Sequence, residues 1–588
     1  MPVRVENRET FCYAASPTTL AVRGDEKLMF KRLYILVVLV AAVAGCSTAH
    51  YRQSADKDIY DILGQKQQRV HGQTNAFSIE TPWSKRDPHA IKAEEIIKER
   101  FTDNGKLQLT LERAFQLAVT NSRSYQLRRE QLYLSALSLT GTRHLFEWKV
   151  SSAEVDIGVT RSTERRLNGT SDASASLSKL FQTGASLTAS VANDLTLYLN
   201  GTPKVPTLTL ALTQPLLRGA GADIAAEALT QAERDVIYEV RSFSHYQETF
   251  ATDIVTTYYR LLQKKAAVRN AYDNYLNLFR ARERAEALAF DRLPAFQVDQ
   301  ARQEEYKAKV AYIAAVESYQ TSLDSFKQTL ALPLGTPIAL DDRALDELTQ
   351  AGLLPLPLDE QTGFEAAIKY RLDLLNEIDK FEDSKRKIVV AANQLLPNFD
   401  LITDASLSDL NYSNFDVSKY SGNARLKINL PFDRLSERNA YRTTLINFEK
   451  QIRSLATALD TARDNVRQGL RTLDQTRQNY QIQQNALELA KRRVESADLL
   501  LQAGRAQIRD QLEAQQALVA AQNAVTAALV DYHAARLKML IDVGALRSGG
   551  ERFWLRDHPI PGGKPVIVPP PVNGADREVI TPDKLFGN

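Results

Sequence analysis

The residues that most often do chemistry in proteins are few and scattered in this 588-residue chain. Its seven histidines show no metal-ligand spacing and no HExxH pattern, and no nucleophile motif is present. Two cysteines, Cys12 and Cys46, exclude a disulfide scaffold and a cysteine-rich metal site. The pair Gly219 and Gly221 superficially resembles a phosphate loop but lacks a third glycine and a βαβ setting, so we expect a strand-to-helix turn. The sequence therefore predicts neither an enzyme nor a cofactor.

Composition indicates a large protein of mixed charge with enough apolar residues for a core. Hydrophobic residues make up 44% of the chain, and 74 Lys and Arg are balanced by 71 Asp and Glu for a formal net charge of +3. Because both signs are interspersed, the charge pattern gives no indication of a nucleic-acid partner.

Cys46 lies in a setting where lipid attachment is expected. Residues 29–45 combine a short basic region with an apolar run that is too short for a membrane span of about 20 residues and suits a signal peptide. The run ends in VAGC, which looks like a bacterial lipoprotein signal with diacylation of Cys46. Ser47, rather than an Asp, favours export to the outer membrane. The alternative is a buried cysteine after a chance apolar run. Residues 1–28 fit no export signal, so we expect translation to start at Met29.

Residues 46–106 are polar and irregular, which predicts an extended or lightly ordered segment after the anchor. Helical structure is expected after Thr110, an N-cap type of residue, with a break near Ser122. From about 148 to 214, apolar and polar residues alternate in runs of about ten, with a polar loop at 161–172. This alternation predicts transmembrane β-strands, and a soluble β-sandwich is the alternative.

The longest regular pattern lies in the second half of the chain. Apolar residues keep a seven-residue phase at Leu473, Tyr480, Leu487, Val494 and Leu501. A 3.5-residue period held this long is typical of supercoiled helices. No proline occurs between Pro431 and Pro559, and a helix of about 70 residues would span about 105 Å. We predict two long helical hairpins, at 216–335 and 433–546.

The chain is an internal duplication. LERA at 111–114 corresponds to FEAA at 364–367, and LTQP ending at Pro215 corresponds to INLP ending at Pro431. The predicted first repeat is 107–335. The remaining parts are a connector at 336–361, a second repeat at 362–548 with strands at about 397–430, and a Pro/Gly-rich, extended and peripheral tail at 549–588.

The two repeats differ in length. The first carries about 37 extra residues before its proline, which is the length of a strand hairpin. Two strands per repeat would give four per chain. If the extra hairpin, at about 170–195, joins the same sheet, the number is six, and the sequence leaves this open.

The motifs LTLERAFQLAVTNS, QPLLRGAG, RLDLL, LLPNFDL, LPF and GRAQIRDQLEAQ, in this order, resemble TolC-type outer membrane efflux proteins of the lipoprotein type. The resemblance implies a homotrimer with one membrane β-barrel and a periplasmic α-helical coiled-coil tunnel. It implies an outer-membrane exit duct of a tripartite efflux or type I secretion system. Its partners would be a periplasmic adaptor (membrane fusion protein), an inner-membrane pump of the RND, ABC or MFS type, and outer membrane lipid. The cargo and the pump class are not readable from the sequence.

The same resemblance assigns a channel gate to Asp510 and Glu513. Residues at i and i+3 face one side of a helix, so threefold symmetry would stack two acidic rings. An ordinary solvated helix face is the alternative. The family's basic latch position falls on Ala506, flanked by Arg505 and Arg509.

The helix tips resemble surfaces that dock the adaptor. The tip residues are Asp291, Arg292, Leu293, Pro294, Gly504 and Arg505. A simple helical turn is the alternative at both tips. For the whole chain, a coiled-coil scaffold that transports nothing is the competing hypothesis, and the alternating strands in both repeats argue against it.

Overall fold

A computed structural model describes residues 48–74, 76–101, 105–161, 167–197, 207–289, 294–407, 420–503, 505–547, 552–556 and 558–559. The chain divides into two compact units, Met1–Asp61 and Ile62–Asn588. The expected signal peptide, Cys46 and most of the predicted tail lie outside the described residues.

Long helices and one large sheet make up most of the described chain. The helices are α1 (Thr48–His71), α2 (Ala93–Phe101), α3 (Leu111–Asn121), α4 (Arg123–His144), α5 (Ala222–Ala225), α6 (Glu227–Leu288), α7 (Ala295–Thr329), α8 (Arg343–Ala351), α9 (Glu360–Tyr370), α10 (Leu372–Asn393), α11 (Leu435–Gln502) and α12 (Ile508–Asp542). The strands are β1 (Leu107–Leu109), β2 (Lys149–Arg161), β3 (Leu167–Leu180), β4 (Ser186–Leu197), β5 (Thr207–Pro215), β6 (Ile338–Leu340), β7 (Asn398–Leu407) and β8 (Tyr420–Asn429).

The predicted extended segment at 46–106 is wrong over much of its length. Residues Thr48–His71 form α1 and Ala93–Phe101 form α2. In the second unit, Leu63 of α1 is fully buried, and the Lys66 ammonium forms an ion pair with Glu233 of α6. A helix held by such tertiary contacts needs no strong apolar periodicity of its own.

The two predicted repeats contain matching elements. Thr110 caps α3 by accepting a hydrogen bond from the Arg113 N–H at 3.2 Å, and Asp359 caps α9 in the second repeat. Each repeat then runs through a second helix and strands into a long hairpin. Helix α6 has 62 residues and α11 has 68, whereas their return helices α7 and α12 have 35 each. At 1.5 Å per residue, α11 is about 100 Å long, as predicted.

In the described residues, all six long strands belong to one antiparallel sheet, in the order β2-β3-β4-β5-β7-β8. The extra hairpin of the first repeat is β3 and β4, and it lies between β2 and β5. Strand β3 begins at Leu167, so the polar loop predicted at 161–172 is shorter than expected. The second repeat contributes β7 and β8, and β7 pairs with β5 across the repeats.

The turn after β5 is the strand-to-helix turn that the sequence predicts. Gly219 and Gly221 have φ angles of 80° and 95°, which residues with a Cβ rarely adopt. The Gly219 N–H donates to the Asn393 side chain of α10 at 2.7 Å. The two repeats are thus joined at the point where the sheet meets the helices.

The predicted connector contains structure of its own. Strand β6 pairs in parallel with β1, and Arg343–Ala351 form α8. The buried Tyr258 hydroxyl donates to the Leu109 carbonyl at 3.0 Å. This small sheet therefore lies against the middle of α6.

The start of the predicted peripheral tail is buried, so that prediction is wrong for the described part. Phe553 and Trp554 have 3% and 6% of their surface exposed. The Trp554 indole N–H donates to the Tyr259 hydroxyl at 2.9 Å, and its ring stacks on Phe115. Arg536 of α12 donates to the Trp554 and Arg556 carbonyls at 3.3 and 2.7 Å.

Candidate functional site

The sequence places the candidate gate and docking residues at the turns of the two long hairpins. Asp291, Arg292, Leu293 and Gly504 lie outside the described residues. Pro294 is the N-cap residue of α7 in an extended conformation. Arg505 is exposed, and its backbone N–H donates to the Leu500 carbonyl at 2.8 Å, which closes the end of α11.

One apolar cluster joins the two hairpins just behind their turns. Its members come from α6, α7 and α12: Leu278, Ala285, Val298, Ala301, Ala308, Ile508 and Leu512. Leu501 of α11 packs against it. Because all four helices contribute, the ends of the two hairpins pack together. The sequence predicted the two hairpins, but it could not show that their ends pack together.

Asp510 has a structural role that the sequence analysis missed. Its carboxylate accepts a hydrogen bond from the Gln507 backbone N–H at 3.1 Å, and the Gln507 side chain accepts from the Asp510 N–H. This reciprocal pair is a capping box, which satisfies N–H groups at the start of α12. The signal was readable as a polar residue followed three positions later by an acid.

Glu513 lies between two arginines. Its carboxylate oxygens are 3.5 Å from the Arg493 guanidinium of α11 and 3.6 Å from that of Arg509. About half of each side chain is exposed, so each pair alone contributes little to stability. Their effect is to connect α11 to α12 one turn from Asp510 and to balance the charge of Glu513 within one chain.

Further ionic contacts connect α6 and α7 beneath the first turn. Arg282 of α6 forms ion pairs of 2.6 Å with both Glu286 and the buried Glu305, and Arg302 of α7 reaches Glu286 at 2.9 Å. Hydrogen bonds from Arg282 and then Arg302 lower the pKa of the Glu286 carboxyl. The spacing of Arg282 and Glu286 was visible in the sequence as an i, i+4 pair.

Asp498 of α11 connects the hairpins to each other. Its Oδ1 accepts a hydrogen bond from the Gln511 amide of α12 at 2.9 Å and lies 3.7 Å from Arg284 of α6. Gln516 of α12 also donates to Glu304 of α7. The site is therefore a bundle of four helix ends held by polar contacts around an apolar cluster.

In the part of the chain that the structure describes, no three His, Cys, Asp or Glu side chains form a group that could hold a metal ion. None of the described helices is long and apolar enough to cross a membrane.

Away from the turns, Glu248 of α6 is an acid with a strongly altered pKa. Burial, and to a smaller extent the nearby Asp373 carboxylate, raises the pKa of Glu248 from 4.5 to about 8. The folded chain therefore retains a proton on this group at pH values where the unfolded chain has released it.

Glu248 is expected to make stability fall as the pH rises from about 4.5 to 8, because the native state binds the extra proton in that window. The slope is at most about 1.4 kcal/mol per pH unit. Glu248→Gln should flatten it in thermal unfolding measured across this pH range. Replacing the exposed Glu488 by Gln is the control and should leave the slope unchanged. Parallel profiles for Glu248→Gln and the parent would contradict the assignment.

The fold is similar to that of solved structures of outer-membrane channels. CusC, whose structures concern transmembrane channel formation, has a TM-score of 0.54 at 13% identity and covers 80% of this chain and 98% of its own. The Campylobacter jejuni outer membrane channel CmeC has a TM-score of 0.53 at 15% identity, with 74% and 85% covered. The outer-membrane channel OprN has a TM-score of 0.53 at 14% identity, with 82% and 100% covered.

A protein-family model matches part of the second half of the chain. Residues 365–540 match the outer membrane efflux protein family, which confirms the resemblance to TolC-type proteins. The matched range runs from α9 to the end of α12 and so includes the second strand pair, the second long hairpin and its turn. No curated protein matches the chain.

Proposed function

We propose that copies of this chain form an exit duct across the outer membrane and that the duct has no catalytic step of its own. The observation that carries this proposal is the sheet. One face of its strand β8 is apolar at Tyr420, Leu426 and Ile428, which are exposed. The neighbouring residues of the other face are polar, with Asn423 donating to Asp404 at 3.1 Å. A lipid-facing side and a water-facing side are what a transmembrane strand needs.

The edges of the sheet support assembly from several copies. In the described chain, β2 and β8 lie at the two ends of the strand order. A bilayer does not tolerate open strand edges, because their N–H and C=O groups would lack partners in lipid. Adjacent copies therefore close the barrel, and we propose a homotrimer. The long hairpins then line a tunnel on the periplasmic side.

The turns of the hairpins are the proposed gate and docking surface. Threefold symmetry would bring three copies of Asp510 and three of Glu513 around one axis. An adaptor would dock on residues 291–294 with Gly504 and Arg505, and an inner-membrane pump would deliver the cargo. Diacylation of Cys46 would anchor the N-terminus in the same membrane.

Purified protein in planar lipid bilayers is expected to form discrete ion-conducting channels. The measurement is single-channel conductance, made on the parent and on variants with a weakened gate. Absence of conductance in all of them would contradict the duct and favour a coiled-coil scaffold. Native mass spectrometry of the detergent-solubilised protein should give the mass of three chains.

A further inference from the structure

The sheet shows how many strands each chain can supply to a membrane barrel. In the large sheet of the described chain, the second repeat provides two strands, whereas the first provides four. The extra hairpin is not a separate subdomain. Strand β3 pairs with β4 from Gly169 opposite Leu197 to Leu180 opposite Ser186, and β4 pairs with β5 from Ser186 opposite Thr213 to Ala192 opposite Thr207. The ladder is thus continuous across the hairpin.

The two faces of the sheet also continue across this hairpin without a change of phase. One row across β3, β4, β5, β7 and β8 consists only of hydroxyl residues: Ser176, Ser190, Thr209, Ser406 and Ser421. The next row consists only of apolar or small residues: Leu177, Ala189, Leu210, Ala405 and Gly422. A shift of one residue would have exchanged the faces. The hairpin therefore has the same lipid-facing and water-facing sides as β5, β7 and β8.

The strand directions allow closure with a neighbouring copy. Each strand in the order β2-β3-β4-β5-β7-β8 is antiparallel to the next, so β2 and β8 run in opposite directions. The end of β8 and the start of β2 are both next to long helices. Strand β8 of one copy can thus pair in antiparallel fashion with β2 of the next copy.

We propose that every chain contributes all six strands, so that β8 pairs with β2 of a second copy and three copies close an 18-stranded barrel. This inference rests on the proposed function. Barrel diameter grows about linearly with strand number, so this barrel is about half as wide again as one with four strands per chain. Barrels of 16–18 strands enclose a water-filled channel. The barrel then admits bulky cargo, and the helix turns become the narrower part of the path.

Disulfide trapping between copies tests which strand is the edge. In a chain with Cys12 replaced by Ser, Val150→Cys on β2 is combined with Leu426→Cys or Ile428→Cys on β8. These side chains are 73%, 61% and 62% exposed. Oxidation in membranes is expected to give covalent trimers for at least one pair. Leu187→Cys on β4 with the same β8 cysteines is the matched control, and it should give none.

Trapping through Leu187→Cys instead would overturn the proposal, because the barrel would then close through β4 and exclude β2 and β3. Electron cryomicroscopy of the purified trimer is the second measurement. An 18-stranded wall supports the inference, and a 12-stranded wall overturns it whatever the cross-links show. Conductance separates the two proposals. A conducting 12-stranded pore rejects only the strand number, whereas a protein that never conducts rejects the duct itself.

Discussion

Combined replacement of Asp510 by Asn and Glu513 by Gln is expected to raise single-channel conductance several-fold and to weaken block by divalent cations. The physical reason has two parts. The acidic rings that would hold cations at the constriction lose their charge. Glu513 also loses its contacts with Arg493 and Arg509, which connect α11 to α12. The measurement is conductance in planar bilayers, with and without added divalent cations.

Two controls separate gating from folding. Glu488→Gln removes one exposed carboxylate of α11 away from the turn, and it should leave conductance unchanged. Asn at position 510 retains an oxygen that can cap α12, whereas Asp510→Ala removes the cap at a cost of about 1 kcal/mol. If conductance and cation block stay at the parental values in the Asn and Gln variant, these two residues are not the gate.

Arg536→Ala is expected to destabilise the chain by about 3 kcal/mol or more. Arg536 is 1% exposed and donates to the Trp554 and Arg556 carbonyls. Hydrogen bonds from a charged group contribute about 1.5–3 kcal/mol each, and truncation also leaves a cavity. Release of Trp554 would uncover Phe115 and Tyr259, which contact it in the native chain.

The measurement is thermal unfolding together with limited proteolysis, which should cut Arg536→Ala near residue 550 faster than the parent. Arg492→Ala replaces an arginine of α11 that is 71% exposed, and it should behave like the parent. Resistance to proteolysis equal to that of the parent would show that the C-terminal segment is held by other contacts.

The sequence pattern was sufficient to predict those helices, strands and turns whose structure is determined by their own residues. The 3.5-residue period predicted the long helix α11, and the alternation at 207–215 predicted β5 with the bounds that the structure gives. The cap at Thr110 and the turn at Gly219 and Gly221 follow from single residues with strong backbone preferences. The resemblance that selected the second hairpin is confirmed by the family match at 365–540.

Elements stabilised by distant partners escaped prediction. Helix α1 has little apolar periodicity, yet Leu63 is buried in the second unit. The segment at Phe553 and Trp554 follows a glycine pair and precedes a Pro/Gly-rich run, so its composition indicated a loose tail. Its order comes from Arg536 and Tyr259, and no pattern local to residues 552–556 contains that information.

The sequence by itself determined the duplicated plan of strands and long hairpins, because helix and strand periods are properties of consecutive residues. Only the tertiary structure decided that β3 and β4 continue the same sheet, since strand pairing joins residues that are far apart in the chain. It also decided the electrostatic setting of the turn. Asp510 and Glu513 are close in sequence, but Arg493, which contacts Glu513, reaches it only because α11 and α12 fold back on each other.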